Sequence, residues 1–250
     1  VRKLAILFGA EAWRAWLEEV RYPLQFVMGL VFMGLIFFLL KGVAQLSGVS
    51  SSNPETIFRL LVGYLLGLLA MSALSGIAAQ ISREAKSGTL ENMVLSGHGL
   101  TAFFVTQALA RLAPILLNTV ILFLVLTNHN KINFSLSWEM LPAIGLFYIA
   151  ALGLGLVVGA LALLFKEIRT FFMLAQLLVF PAVIANLPQL EWFPLVLGAS
   201  VIRDLLQGSA VEAYWWILLL AETTAVLCVG VLLFELADRE ARKRGLLGHE

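Results

Sequence analysis

The sequence predicts an all-α polytopic membrane protein, a single transmembrane domain over residues 1–250 with six spanning helices. Three observations predict it. Six long apolar stretches occur in the chain, most near the roughly 20 residues that cross a hydrocarbon core of about 30 Å. Hydrophobic residues make up 60% of the sequence and charged residues 13%, against about 45–50% and about 25% in soluble domains. Basic residues, finally, are shared unequally between alternate loops, as in a protein threaded through a bilayer. A soluble core would have to hide all six runs at once.

Residues 1–23 come first. Leu4, Leu7, Phe8, Trp13, Trp16, Leu17 and Val20 recur at helical spacing, while Glu11, Arg14, Glu18 and Arg21 occupy much of the other side. This pattern predicts a helix lying in the interface plane, its tryptophans at headgroup level. It lacks the short apolar run and small-residue cleavage site of a signal peptide. Pro23 is expected to end it and let the chain turn into the first span.

The spans follow at 24–40, 60–81, 100–126, 141–165, 171–187 and 214–236. Lys41 closes the first, and Arg59 is placed to snorkel at the mouth of the second. Residues 188–211 are apolar but broken by Pro188, Pro194, Gly198 and Gly208. They predict a re-entrant helical hairpin that enters from outside and returns, since non-helical backbone at that depth must be buried in protein or line a cavity. Residues 237–250 form a tail.

Orientation follows from the basic residues. Arg2, Lys3, Arg14 and Arg21 precede the first span; Arg83 and Lys86 follow the second, Lys166 and Arg169 the fourth, and Arg239, Arg242, Lys243 and Arg244 the sixth. The opposite loops hold only Lys41, Lys131 and Arg203. Twelve against three puts both termini in the cytoplasm of a cell (inner) membrane protein. The single cysteine, Cys228, lies inside an apolar run and allows no disulfide within one chain.

No enzyme chemistry is legible. His98, His129 and His249 have no partners at metal-ligand spacing. Asp204 and Glu212 are isolated, and no Gly-x-x-x-x-Gly-Lys-Ser/Thr occurs to cradle a nucleotide. The chain is therefore expected to hold no catalytic group, metal or cofactor of its own.

The segment between the second and third spans is the most informative: Ser82-Arg-Glu-Ala-Lys-Ser-Gly-Thr-Leu-Glu91. Glu84 and Lys86 leave the bilayer, and Gly88 permits a sharp turn. Thr89 is suited to cap a new helix whose first turn carries Glu91 at the positive end of its dipole. Leu90, Met93, Val94 and Leu95 give this helix, residues 89–96, an apolar face before Gly97-His98-Gly99 stops it. A short cytoplasmic helix with an apolar face is a shape that fills a partner's groove.

Here the chain resembles the membrane (permease) subunits of ABC-2 type exporters. Glu84, Gly88, Thr89, Leu90 and Glu91 match the family's glutamate followed by Gly-Thr-Leu-Glu and a coupling helix. The family's usual proline is replaced by Gly97-His98-Gly99, which implies a looser helix end. The helix before the first span is similar to the family's elbow helix, and Pro181, Pro188, Pro194 and Arg203 fall in a segment similar to its re-entrant hairpin. The resemblance covers nearly the whole chain. It implies an ATPase partner in two copies that binds ATP and Mg, a second copy of this chain or a homologous permease, and outward transport. It also implies a coupling role for Glu84, Gly88, Thr89, Leu90, Glu91, Met93 and Val94.

Ionisable residues inside spans are functional suspects, because charge is costly in lipid. Arg111 and Asn118 in the third span and Glu222 in the sixth either line a pathway or, for Arg111, pair with a carboxylate that holds the bundle together. Gly145, Gly153, Gly155 and Gly159 of the fourth span permit close helix contact. The apolar, aromatic-rich composition suits an amphipathic or lipid-like small molecule as cargo. A glycan exporter subunit is the first alternative. An ion-driven secondary transporter is the second, though only one half of the chain has a broken segment.

Overall fold

The computed structural model describes residues 2–46, 54–88, 99–165, 169–185 and 193–244. Within these the protein is all helical: α1 (Arg2–Arg21), α2 (Pro23–Leu46), α3 (Pro54–Ser87), α4 (Leu100–Ala110), α5 (Leu112–Asn130), α6 (Met140–Leu164), α7 (Arg169–Ala185), α8 (Val196–Leu206) and α9 (Ala213–Lys243). Among the described residues five stretches are long and apolar enough to cross a membrane: α2, α3, α4–α5 together, α6 and α9. The predicted fifth span appears as α7, whose apolar part is shorter. The chain is a polytopic, largely helical membrane protein.

The spans outrun their sequence bounds. Lys41 does not close the first: α2 continues to Leu46, and the Lys41 ammonium donates to Asn130 Oδ1 at 2.6 Å at the end of α5. The last span runs on through residues first read as tail, with Arg242 forked onto Asp238 one turn back. Pro23 opens α2, where its missing N–H is harmless.

The third span is not one straight helix. It is interrupted at Arg111, whose backbone sits at φ −80°, ψ −9°. Pro114 supplies the reason. It has no N–H to offer the carbonyl of Ala110, and its ring crowds that carbonyl, so the ladder loosens there.

At the centre stand α3 and α6. In each, 67% of the most apolar stretch is buried, against 22% in α4–α5 and α9 and 6% in α2. Glycines let α6 approach its neighbours closely. A Cβ on Gly153 would lie 2.8 Å from the Val226 carbonyl oxygen of α9, and one on Gly155 would lie 2.7 Å from the Ala73 carbonyl oxygen of α3. A Cβ on Gly159 would meet the side chain of Ile77 at 2.8 Å, whereas Gly145 faces open space. The two tight contacts point to opposite sides of α6, which is wedged between α3 and α9.

The short α8 is nearly all buried. Its 11 residues cover about 16 Å, half a hydrocarbon core. At its start the Leu195 N–H donates to Glu222 Oε1 at 2.7 Å. Glu222 is the tenth residue of α9, so this contact lies about 14 Å along that helix. At the other end the Leu206 carbonyl accepts from the Ser135 N–H at 2.9 Å, in the loop between α5 and α6. The two ends of α8 therefore sit at different depths beside α9.

Arg203 corrects the sequence reading. It was counted with an outer loop, but it belongs to α8 and is 3% exposed. Its Nη2 donates to the carbonyls of Val183, at 2.5 Å, and Ile184, at 3.3 Å. These are among the last carbonyls of α7, which have no helical partner of their own. Gly63 of α3 leaves the room, since a Cβ there would meet the guanidinium at 2.6 Å.

Candidate functional site: a charged recess beside the bent span

Helix α1 turns an unexpected face to the bundle. Phe8, Trp13, Trp16, Leu17 and Val20 are exposed, while Ala15 is buried. Glu11 accepts from Gln107 Nε2 of α4 at 3.2 Å, and Gln107 is only 4% exposed. One turn and two turns after Glu11 come Ala15, then Glu18 and Glu19. The tryptophans thus point away from the protein, while Glu11 and Glu19 are half-buried and Glu18 stays exposed.

Two adjoining cavities open beside Glu18 and Glu19. The first, about 300 Å³, is bounded by Glu18 and Glu19 of α1, Ser72 and Arg83 of α3, Arg111 at the bend and Tyr148 of α6. The second, about 490 Å³, shares Glu18, Glu19 and Arg83, and adds Phe26, Met33 and Asn118. Tyr148 is held in place by its hydroxyl, which donates to the Ala108 carbonyl at 3.0 Å. Desolvation by burial, with the neighbouring Glu18 charge second, holds the Glu19 carboxyl above its usual range.

The structure brings Arg111 and Asn118 to this joint recess. It does not bring Glu222 there. That carboxylate caps the start of α8 through the Leu195 N–H. Glu84 lies near the end of α3 and accepts from Gln80 Nε2 at 2.6 Å. Gly88 follows that helix at φ 70°, the left-handed conformation in which glycine commonly ends a helix. Thr89, Leu90, Glu91, Met93 and Val94 lie outside the described residues.

Sequence reasoning missed the charged residues that line the recess with Arg111. Arg83 was assigned to a loop, whereas it lies within α3; Glu18, read on the polar side of the interfacial helix, is indeed exposed and pairs there with Arg14. Glu19 gave one faint signal: it sits about 100° round the helix from Glu18, off the stripe of Glu11, Arg14, Glu18 and Arg21. Arg203 gave a clearer one: a lone cation inside Val196–Leu206, which is otherwise apolar on the face it shares.

Charges of both signs thus line a recess at one end of the spanning helices. No protein-family model matches the chain, and no curated protein matches it.

Proposed function

We propose that this chain is the permease subunit of an ATP-driven ABC-2 type exporter, moving an amphipathic or lipid-like small molecule outward. One observation carries the reading: the half-length α8 ahead of the last span, its start capped by Glu222 well inside α9 and its end tied to the α5–α6 loop. This supports a re-entrant hairpin, the element the resemblance leads one to expect at that place. The extension of α3 supports the same reading. Its 34 residues cover about 51 Å, well beyond a 30 Å core, and the positive-φ Gly88 then hands the chain to the Gly-Thr-Leu-Glu element.

In this reading α1 is the elbow helix, residues 89–96 the coupling helix, and both termini are cytoplasmic. Two copies of the chain, or one with a homologous permease, sit over two ATPase subunits that bind ATP and Mg. Closure of the ATPase pair pushes on residues 89–96, and α3 and α4 carry the movement into the membrane. Glu84 and Glu91 offer carboxylates for charge-assisted bonds to the partner or to the elbow helix.

The test is co-purification with the candidate ATPase and measurement of its stimulated turnover. Leu90→Asp should weaken assembly, and Glu91→Ala should leave membrane insertion intact but lower transport and stimulation. A Leu90→Asp/Glu91→Ala double variant with wild-type partner affinity and transport would overturn the assignment of 89–96 and move the role to Lys166-Glu167. Intrinsic ATP turnover by the pure chain would overturn the whole reading.

A further inference from the structure

We propose that the joint recess between α1, α2, α3 and the α4–α5 bend binds the zwitterionic headgroup of a phospholipid, with its acyl chain laid along α2. The wall carries two guanidiniums, Arg83 and Arg111, and two carboxylates, Glu18 and Glu19. Their formal charges cancel. Among the described residues no ion pair within 4.0 Å joins either arginine to either carboxylate; Glu18 instead pairs with Arg14 at 3.4 Å along its own helix. Charges of both signs therefore face a shared space rather than each other.

That arrangement selects a class of ligand. A simple anion gains the arginines but meets two carboxylates, and a simple cation meets the reverse. A head carrying a phosphate and an ammonium satisfies both sets through charge-assisted hydrogen bonds. The depth also fits a lipid. Glu18 and Glu19 lie just ahead of Pro23, where α2 begins, and Arg83 lies one turn before the end of α3. From that level the second cavity continues along Phe26, Leu30 and Met33 of α2. Phe26, Leu30 and Met33 are only half-buried, so this wall is left partly open. Polar head and apolar tail find their surroundings in two adjoining cavities that share Glu18, Glu19 and Arg83. A free phosphoethanolamine shares the head chemistry but leaves the α2 wall uncovered. As a cargo site the recess rests on the exporter reading; the binding itself does not.

The experiment is native mass spectrometry of the delipidated full chain titrated with phosphatidylethanolamine, phosphatidylglycerol and diacylglycerol of identical tails, and with glycerophosphoethanolamine. Phosphatidylethanolamine should bind roughly tenfold more tightly than each of the others, the scale of one charge-assisted contact. Arg111→Gln should remove its advantage over diacylglycerol, and Glu18→Gln/Glu19→Gln its advantage over phosphatidylglycerol. Arg83→Gln, at an exposed position, repeats the first test should the Arg111 variant fail to fold. Equal affinity for the three lipids, unchanged selectivity in the variants, or equally tight binding of the soluble head would each overturn the proposal. The readout needs no ATPase, so the exporter reading and this one fail separately.

Discussion

Arg203 shows how one side chain can bind two helices. Its guanidinium is buried, reaches two carbonyls at the end of α7, and leaves Nε and Nη1 without a partner among the described residues. Removing a donor from buried carbonyls costs about 1–3 kcal/mol, so Arg203→Met should lower the unfolding temperature in detergent. Arg203→Lys should recover part of the loss, because both bonds come from one nitrogen and an ammonium also carries several N–H donors. A Met variant as stable as wild type would mean that α7 and α8 hold together without this clamp. Glu19 makes a prediction in pH. Its folded value lies above the ordinary 4.5, so the folded chain resists its ionisation more than the unfolded chain does. Stability is therefore lost as pH rises from 4.5 through the raised value, and the loss is complete above it. Glu19→Gln should melt higher than wild type at neutral pH, with the gap closing well below 4.5. A gap independent of pH would show that the carboxyl is not strained by its surroundings.

At the scale of elements, legibility in the sequence followed the periodicity of the spans. Apolar runs marked α2, α3, α6 and α9 because a bilayer imposes length and composition together. The small residues of α6 were legible for the same reason, and Gly153, Gly155 and Gly159 make the backbone and side-chain approaches expected of them. What the sequence left open were relations between elements. Nothing in the segment Leu100–Leu126 says how far Pro114 loosens the ladder at Arg111. Nor does Trp13 or Glu19, taken alone, say which face of α1 meets the bundle, because an interfacial helix has water, lipid and protein as neighbours. The α6–α9 seam carries the third prediction. A Cβ on Gly230 would run into the backbone of Gly153, so Gly230→Val must push the two helices apart. Overpacking of this kind costs typically 1–3 kcal/mol, here expected as a lower melting temperature and a longer α6–α9 separation by spin-label distance measurement. Wild-type stability and separation would show that the seam has slack.

The whole molecule has a sidedness that the buried Arg203 sharpens. With that residue inside the bundle, the basic count becomes twelve against two, Lys41 and Lys131. Both termini should face the cytoplasm. In a Cys228→Ala background, a cysteine at position 245 should resist an impermeant reagent added to intact cells, while one at position 133 should react. Labelling of the first and protection of the second would invert the map.

The wedged position of α6 has a mechanical consequence. Where two helices meet backbone to backbone there is no layer of flexible side chains to absorb displacement, so α3, α6 and α9 form a stiff spine. The α2 helix has hardly any such anchorage. Compliance is then concentrated on one flank, and any push arriving along α3 or α4 is relieved there first. Hydrogen exchange should register this as slow amides in α6 and markedly faster ones in α2, a contrast that equal protection of the two helices would abolish. The flank that yields is the one that walls the charged recess, so a small movement of α2 alters the width of that recess while the spine stays still.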